Sequence, residues 1–270
     1  MADFEAEMRD YKLTEMNEKA ENAVAIAVAS TTATGVIPIP FADAPAMIAQ
    51  QVALMARICA VYEIDVGKDG LKMLATAALS AGGATVVATS HSFKPSIKAW
   101  AKQAYREHAT GNAKLWLVPA NLSSYRDVDA LVDWVGHEQK KTSGATTTIL
   151  KPAWEPTLFF PFAAPPVHGT LADSGELFES QARLMLWGVE RAITGFAKIG
   201  ADIDVQHKLH VILPGSPNRG VFGGDGAYGE VKSAFDAIVN RARAEKVWSS
   251  RVTFAHPKIG WGRGTRLMGG

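Results

Sequence analysis

The pattern of apolar and polar positions changes character near residue 60. Residues 1–22 are polar and predict a helical lead-in. From Ala23 to Ala56 the only charged residue is Asp43. Small apolar residues fill 23–35 (AVAIAVASTTATG), VIPIPFADAP forms a turn, and 46–62 (AMIAQQVALMARICAVY) has the apolar density of a buried helix. Residues 1–60 are thus expected to form a helical hairpin. Beyond it the pattern alternates between strand and helix. AVYEI predicts a strand, DVGKDG a turn, LKMLATAALSAGG a helix and TVVATS a strand. A helix over 95–110 precedes the strand KLWLVPAN, and SSYRDVDALVDWVGHEQKK opens on a Ser-x-x-x-Asp helix start. PTLFFPFAAP has the look of a buried parallel strand. One long amphipathic helix is predicted over 173–197, then the strand KLHVILPGS, a helix from Tyr228 to about Ala244, and the strand RVTFAHPKIG. Residues 140–155 read as an insertion loop. That order predicts an α/β fold over 61–270, a Rossmann-like doubly wound parallel sheet.

Composition narrows the setting. With 47% hydrophobic and 20% charged residues the chain has enough apolar material for a sizeable core. A formal charge of +1 gives no field that would gather nucleic acid. Cys59 is the only cysteine, so no intrachain disulfide can form, and the reducing cytoplasm is the expected compartment. The opening MADFEAEMRDYK lacks the pattern of a secretion signal. Pro38, Pro40 and Pro45 cut the apolar stretch well short of the about 20 residues a membrane span requires. A packed hairpin is preferred, with shallow membrane contact as its alternative.

The candidate chemistry lies in SPNRGVFGGDGAYGEVK, residues 216–232. Ser216 follows a strand, at the end where open α/β sheets bind ligands. Lys232 stands four residues after Tyr228, on the same helical face. Reduction of a ketone requires a proton for the developing alkoxide. A phenol with the ordinary pKa near 10 gives little phenolate at neutral pH. An ammonium one turn along lowers that pKa and can hold a cofactor hydroxyl. The serine hydroxyl would orient the carbonyl oxygen towards Tyr228. The seven histidines show no recognisable metal spacing, so no metal site is expected, and His168 alone is a candidate for the cleft. Trp116, Trp134 and Trp187 fall at core positions, and Lys140-Lys141 at a solvated helix end.

Residues 75–270 resemble the β-ketoacyl reductase domain of type I fatty acid synthases, of the short-chain dehydrogenase/reductase class. LWLVPANLSSYRDVDALVDWV, PTLFFPFAAP, LHVILPGSPNRGVFGGDGAYGEVKSAFDAIVNR and IGWGRGT carry the resemblance, in that order. It implies NADPH-dependent reduction of 3-ketoacyl thioesters on acyl carrier protein, with other synthase domains as partners. The resemblance gives Ser216, Tyr228 and Lys232 as the catalytic trio. It places Ala163 and Ala164 under the cofactor, Asn121 near the adenine, and Ile259, Gly260 and Thr265 in the segment closing over the nicotinamide.

The chain departs from that pattern at the phosphate turn. The turn falls on Ile64 to Leu71, with Gly67, Lys68 and Gly70 as its cofactor-binding candidates and Asp65 in place of the first glycine. A carboxylate there opposes a pyrophosphate at a helix amino terminus. Ser92 stands where an NADP-selective arginine is expected. Residues 14–84 are also similar to a DUF697-type helical domain, found after some bacterial GTPase modules, although no GTP-binding motif is present. Two functions follow. One is the reductase; the other is a non-catalytic interaction or scaffold module with the same fold and a degenerate cofactor turn.

Overall fold

A computed structural model describes residues 79–80 and 83–258, apart from 110, 166 and 222. The expected hairpin, the strand AVYEI and the turn with Gly67, Lys68 and Gly70 lie outside the described residues, as do Ile259, Gly260 and Thr265. No helix among the described residues is long and apolar enough to cross a membrane.

The first described unit is a βαβ crossover. Strand β1 (Thr85–Ser90) leads through helix α1 (Pro95–His108) to strand β2 (Lys114–Pro119). The two strands pair in parallel from Thr85 opposite Lys114 to Ser90 opposite Pro119. Pro95 fits the first turn of α1, where the missing N–H costs nothing. Helix α2 (Tyr125–Gly136) follows, with the Ser124 hydroxyl accepting from the Asp127 N–H. Its inner face buries Val128, Leu131 and Val135.

Two further strands, β3 (Gln139–Ser143) and β4 (Thr146–Lys151), pair antiparallel. The expected insertion loop is therefore a β-hairpin, and α2 ends at Gly136 instead of continuing to Lys141. Lys140 and Lys141 sit on β3, not at a helix end. The β-branched run Thr146–Ile149 favours a strand, and Gly144, at φ 59°, opens the two-residue turn.

Strands β5 (Leu158–Phe159), β6 (Leu209–Ile212) and β7 (Val252–Ala255) form a second parallel ladder with β6 in the middle. The ladder holds only two residues of the predicted strand PTLFFPFAAP. The long helix predicted over 173–197 is interrupted. A 3-10 turn (Leu171–Asp173) is followed by helix α3 (Glu176–Ala182), a π turn (Arg183–Trp187) and helix α4 (Gly188–Lys198). A π turn carries an extra residue and rotates the apolar face out of phase. Gln181 is buried, whereas Trp187, expected in the core, is 41% exposed. Helix α4 packs on α2, and Gly195 permits the approach, since a Cβ there would lie 2.8 Å from Val132 Cγ2. Helix α5 (Tyr228–Ala244) and the short α6 (Lys246–Ser249) complete the chain before β7.

The core joins α2, α4, β6 and α5 through residues such as Leu131, Ile193, Val211 and Phe235. Beside it, Trp116, Trp134 and Trp154 meet edge to face, with centroids 5.6–5.8 Å apart. Lys151, wholly buried at the end of β4, inserts its ammonium against two of these rings, 4.9 Å from Trp134 and 4.2 Å from Trp154. It also donates to the carbonyls of Val135 (3.0 Å), His137 (2.9 Å) and Pro152 (2.6 Å). All three donors are used, so the charge is satisfied without a carboxylate. Lys151→Ala leaves three carbonyls unpaired and a void between indoles, and should cost about 3 kcal/mol or more in a urea unfolding curve. A loss under about 1 kcal/mol, the size of an ordinary surface change, would show that the ammonium does not hold this corner.

Candidate functional site

The site grows from the carboxyl end of β6. Backbone pairing with β7 continues past the strand, with Leu213 N–H donating to Ala255 (2.8 Å) and Gly215 N–H to Pro257 (3.0 Å). Gly215 has no room for a side chain, because a Cβ there would lie 2.5 Å from His256 Nε2. The chain then enters the loop that carries Ser216, which is 6% exposed, and reaches α5 at Tyr228.

Ser216, Tyr228 and Lys232 lie near one another beyond the carboxyl end of β6. Tyr228 is half-buried, with the Ser216 hydroxyl close enough to its phenol to favour ionisation. The phenol pKa is raised, chiefly by burial and further by the Asp225 carboxylate, while Ser216 pulls it down, so the lowering expected from the lysine one turn along is not what the site shows. Lys232 follows one turn along α5, 6% exposed, with its ammonium 5.2 Å from the Tyr228 ring centroid and 4.8 Å from that of Phe235. Desolvation lowers the Lys232 pKa to about 7. Among the described residues its ammonium has these two ring faces and no hydrogen-bond acceptor.

The other described cofactor candidates each follow the carboxyl end of a parallel strand. Ser92 comes after β1, its N–H donating to Ser90 Oγ at 3.3 Å. Asn121 comes after β2 and is exposed; its Oδ1 accepts from the N–H and hydroxyl of Ser123, at 3.2 and 2.7 Å. Ala163 and Ala164 come after β5 and are both exposed. His168 is exposed too, and its carbonyl accepts from Gln181 Nε2 at 3.3 Å.

Sequence reasoning missed the buried polar residues in the loop and, from α3, against it. Asn218, Asp225 and Gln181 are 0%, 5% and 1% exposed. The glycine- and aspartate-rich text NRGVFGGDG signals a turn, but nothing in it shows which polar side chains face inward. It also missed a meeting of Glu155, Asp204 and His207, whose ligand atoms lie within 4.8 Å of one another. Arg251 already approaches that group, donating to Glu155 Oε2 at 3.4 Å and to the Asp204 carbonyl at 2.8 Å. The positive charge there is thus supplied by the protein.

Comparison with known proteins adds sequence and fold relationships. The family described as "Domain of unknown function (DUF697)" matches residues 1–113. The chain is 33% identical over 189 residues to the fatty acid synthase subunit alpha of Lachancea kluyveri, covering 69% of this chain and 10% of that protein. It is 32% identical over 204 residues to the Saccharomyces cerevisiae subunit, covering 75% and 10%. The chain thus spans about a tenth of the length of these relatives. Among solved structures, an NADH-dependent reductase complexed with NAD superposes with a TM-score of 0.54 at 14% identity, over 73% of this chain and 76% of that one. An alcohol dehydrogenase from Thermococcus sibiricus complexed with 5-hydroxy-NADP gives 0.51 at 16%, over 72% and 74%. A Serratia marcescens short-chain dehydrogenase/reductase gives 0.52 at 16%, over 72% and 70%.

The buried lysine makes a pH-dependent prediction. Unfolded lysine titrates near 10.4, so from about pH 7 to about 10.4 the unfolded chain binds more protons than the folded one. Stability from this group therefore rises with pH across that window, and the cost of the buried charge is fully present below pH 7. Lys232→Met should melt higher than the parent at pH 6, and its advantage should vanish towards pH 10. A constant difference between the two melting curves would refute the buried charge. In sequence this chain is similar to fatty acid synthase alpha subunits and, over residues 1–113, to DUF697, and its described part shares the fold of the solved reductases it superposes on.

Proposed function

We propose that the chain reduces 3-ketoacyl thioesters, presented on acyl carrier protein, to 3-hydroxyacyl thioesters with NADPH. The observation that carries this reading is the cluster of Ser216, Tyr228 and Lys232 beyond the carboxyl end of β6. The sequence relationship to fatty acid synthase subunits supports the substrate class. The solved neighbours with NAD and 5-hydroxy-NADP support a nicotinamide. Other synthase modules and a cytoplasmic setting belong to the same proposal.

The residues present fit such a cofactor. Lys232 holds ammonium donors without an acceptor among the described residues, suited to cofactor hydroxyls. Ala163 and Ala164 offer small exposed side chains beyond β5, where a flat ring system can pass. A reduced nicotinamide held by these residues would supply hydride chemistry at the carbonyl carbon. Ser216 donates to the carbonyl oxygen and aims it at Tyr228. The phenol gives its proton to that oxygen as the C–O double bond becomes single, leaving a phenolate. Lys232 stabilises the phenolate through its charge until solvent returns the proton.

Two measurements test the proposal: NADPH binding by fluorescence, and NADPH consumption with a β-ketoacyl thioester. Tyr228→Phe removes only the transferable proton, so the rate should fall roughly 10²–10⁴-fold while NADPH still binds. Parental turnover in that variant would take Tyr228 out of the mechanism. Asp65→Gly addresses the opposing charge at the phosphate turn. It should tighten NADPH a few-fold to about thirty-fold, as loss of a repulsive charge at a helix terminus allows. Absence of NADPH binding in both parent and Asp65→Gly would favour the scaffold module.

A further inference from the structure

Three polar side chains outside the trio are sealed around the loop that joins β6 to α5, and backbone groups of two of these residues, Asn218 and Asp225, bond to the trio. The Asn218 N–H donates to Ser216 Oγ at 3.1 Å. Asn218 Nδ2 donates to Asp225 Oδ2 at 2.9 Å, while its Oδ1 accepts from the Gly220 N–H at 3.1 Å. The Asp225 carbonyl accepts from the Tyr228 N–H at 3.2 Å. Gln181 Oε1 accepts from the Ala227 N–H at 2.7 Å, one residue before α5 begins. Between them, Gly226 adopts φ 58° and donates its N–H to Gly169 at 2.8 Å. A Cβ at Gly226 would lie 2.4 Å from Gln181 Oε1 and 2.5 Å from the His168 carbonyl.

One amide–carboxylate bond thus links the neighbourhood of the serine to that of the tyrosine. We infer that Asn218 and Asp225 are positioning residues that hold the Ser216 hydroxyl against the Tyr228 phenol, while Gln181 fixes the first turn of α5. The inference rests on the reductase reading of the trio. The Asp225 charge opposes ionisation of Tyr228, so its contribution to the site is geometric. Asn218 is wholly buried, with both ends of its amide engaged by the loop itself. A buried amide–carboxylate pair is costly when half-made and rigid when complete. Those properties suit a loop that must keep two hydroxyls in register.

The test exchanges the two groups in the full chain, using Asn218→Asp, Asp225→Asn and the combination. Turnover of a β-ketoacyl thioester, NADPH affinity and thermal unfolding are measured for each. Asn218→Asp sets two carboxylates against each other, and kcat should fall roughly 10- to 100-fold with NADPH affinity little changed. Asp225→Asn should be milder, because two amides can still bond. The exchanged pair rebuilds an amide–carboxylate bond and should recover most of the lost kcat. An exchange no better than Asn218→Asp overturns the inference. So does an Asn218→Asp protein that melts lower but turns over normally per folded molecule, since that marks a merely structural role. If Asn218→Asp does not fold, Asn218→Ser, which is too short to reach Asp225, takes its place with the same expectation.

A second readout does not depend on turnover. Tyrosinate absorbance of parent and Asn218→Asp, each taken against its own Tyr228→Phe counterpart, isolates the Tyr228 titration. Lys232 and Asp225 are the charged groups set against that phenol. Displacing Ser216 and adding a second carboxylate should both move the titration to higher pH. An unchanged titration overturns the positioning role. Absence of turnover in the parent with a shifted titration overturns the reductase reading alone.

Discussion

Strand β6 is hydrogen-bonded on both sides, and Leu209, Val211, Ile212 and Leu213 are at most 2% exposed. Where the chain beyond β6 stays buried, from Leu213 to Ser216, at Asn218 and from Asp225 to Ala227, water does not satisfy its polar groups. The chain leaving β6 therefore has to find a partner for each buried donor and acceptor within the protein. It does so first by extending the pairing with β7 to Gly215, then through the side chains of Ser216, Asn218, Asp225 and Gln181. The polar site is a consequence of that enclosure. The exposed residues of the same loop, such as Gly223 and Gly224, need none of these bonds.

Two buried lysines show the same constraint met in opposite ways. Lys151 has three carbonyls and two indole faces, and no donor is left over. Burial lowers its pKa as well, but three carbonyl dipoles hold its charge in place, and its effect is to fasten the β3–β4 hairpin to α2. Lys232 has two ring faces, and its pKa falls towards neutrality. Burial alone does not separate the two, since both are almost fully enclosed. Hydrogen-bond saturation separates them. A saturated ammonium stabilises structure, whereas an unsaturated one keeps its donors for a ligand.

The parts of the fold legible in the sequence are those governed by periodicity and by terminal signals. Strand β6, helix α5 and the one-turn spacing of Tyr228 and Lys232 follow from apolar alternation and the i, i+4 rule. Helix α2 could be placed because the Ser-x-x-x-Asp run from Ser123 to Asp127 marks its start, one residue ahead of the capping Ser124. The hairpin was hidden because its strands bury almost nothing, so no apolar alternation marks them; only Gly144 and the threonine run point to it. The long helix was misread for the converse reason. Its apolar residues continue through the π turn, and periodicity summed over the whole segment conceals a single extra residue. The inward-facing Asn218, Asp225 and Gln181 are beyond any periodic reading, because what buries them is contact between segments far apart in the chain.

The DUF697 match ends at residue 113, yet the packing does not divide there. β1 and α1 lie inside the match, while β2, which begins at Lys114, lies just outside it. β1 pairs with β2 along its full length, from Thr85 to Ser90. β2 in turn places Trp116 against Trp134 of α2 and against Trp154 beyond the hairpin. A break at residue 113 would strip β1 of its six backbone partners and leave its ladder groups unpaired, which buried backbone does not tolerate. β1 and α1 are thus physically part of the same α/β unit as β2, whatever sequence family their residues resemble. A piece of this chain intended to fold alone would have to keep Thr85 and everything that follows it as far as β7.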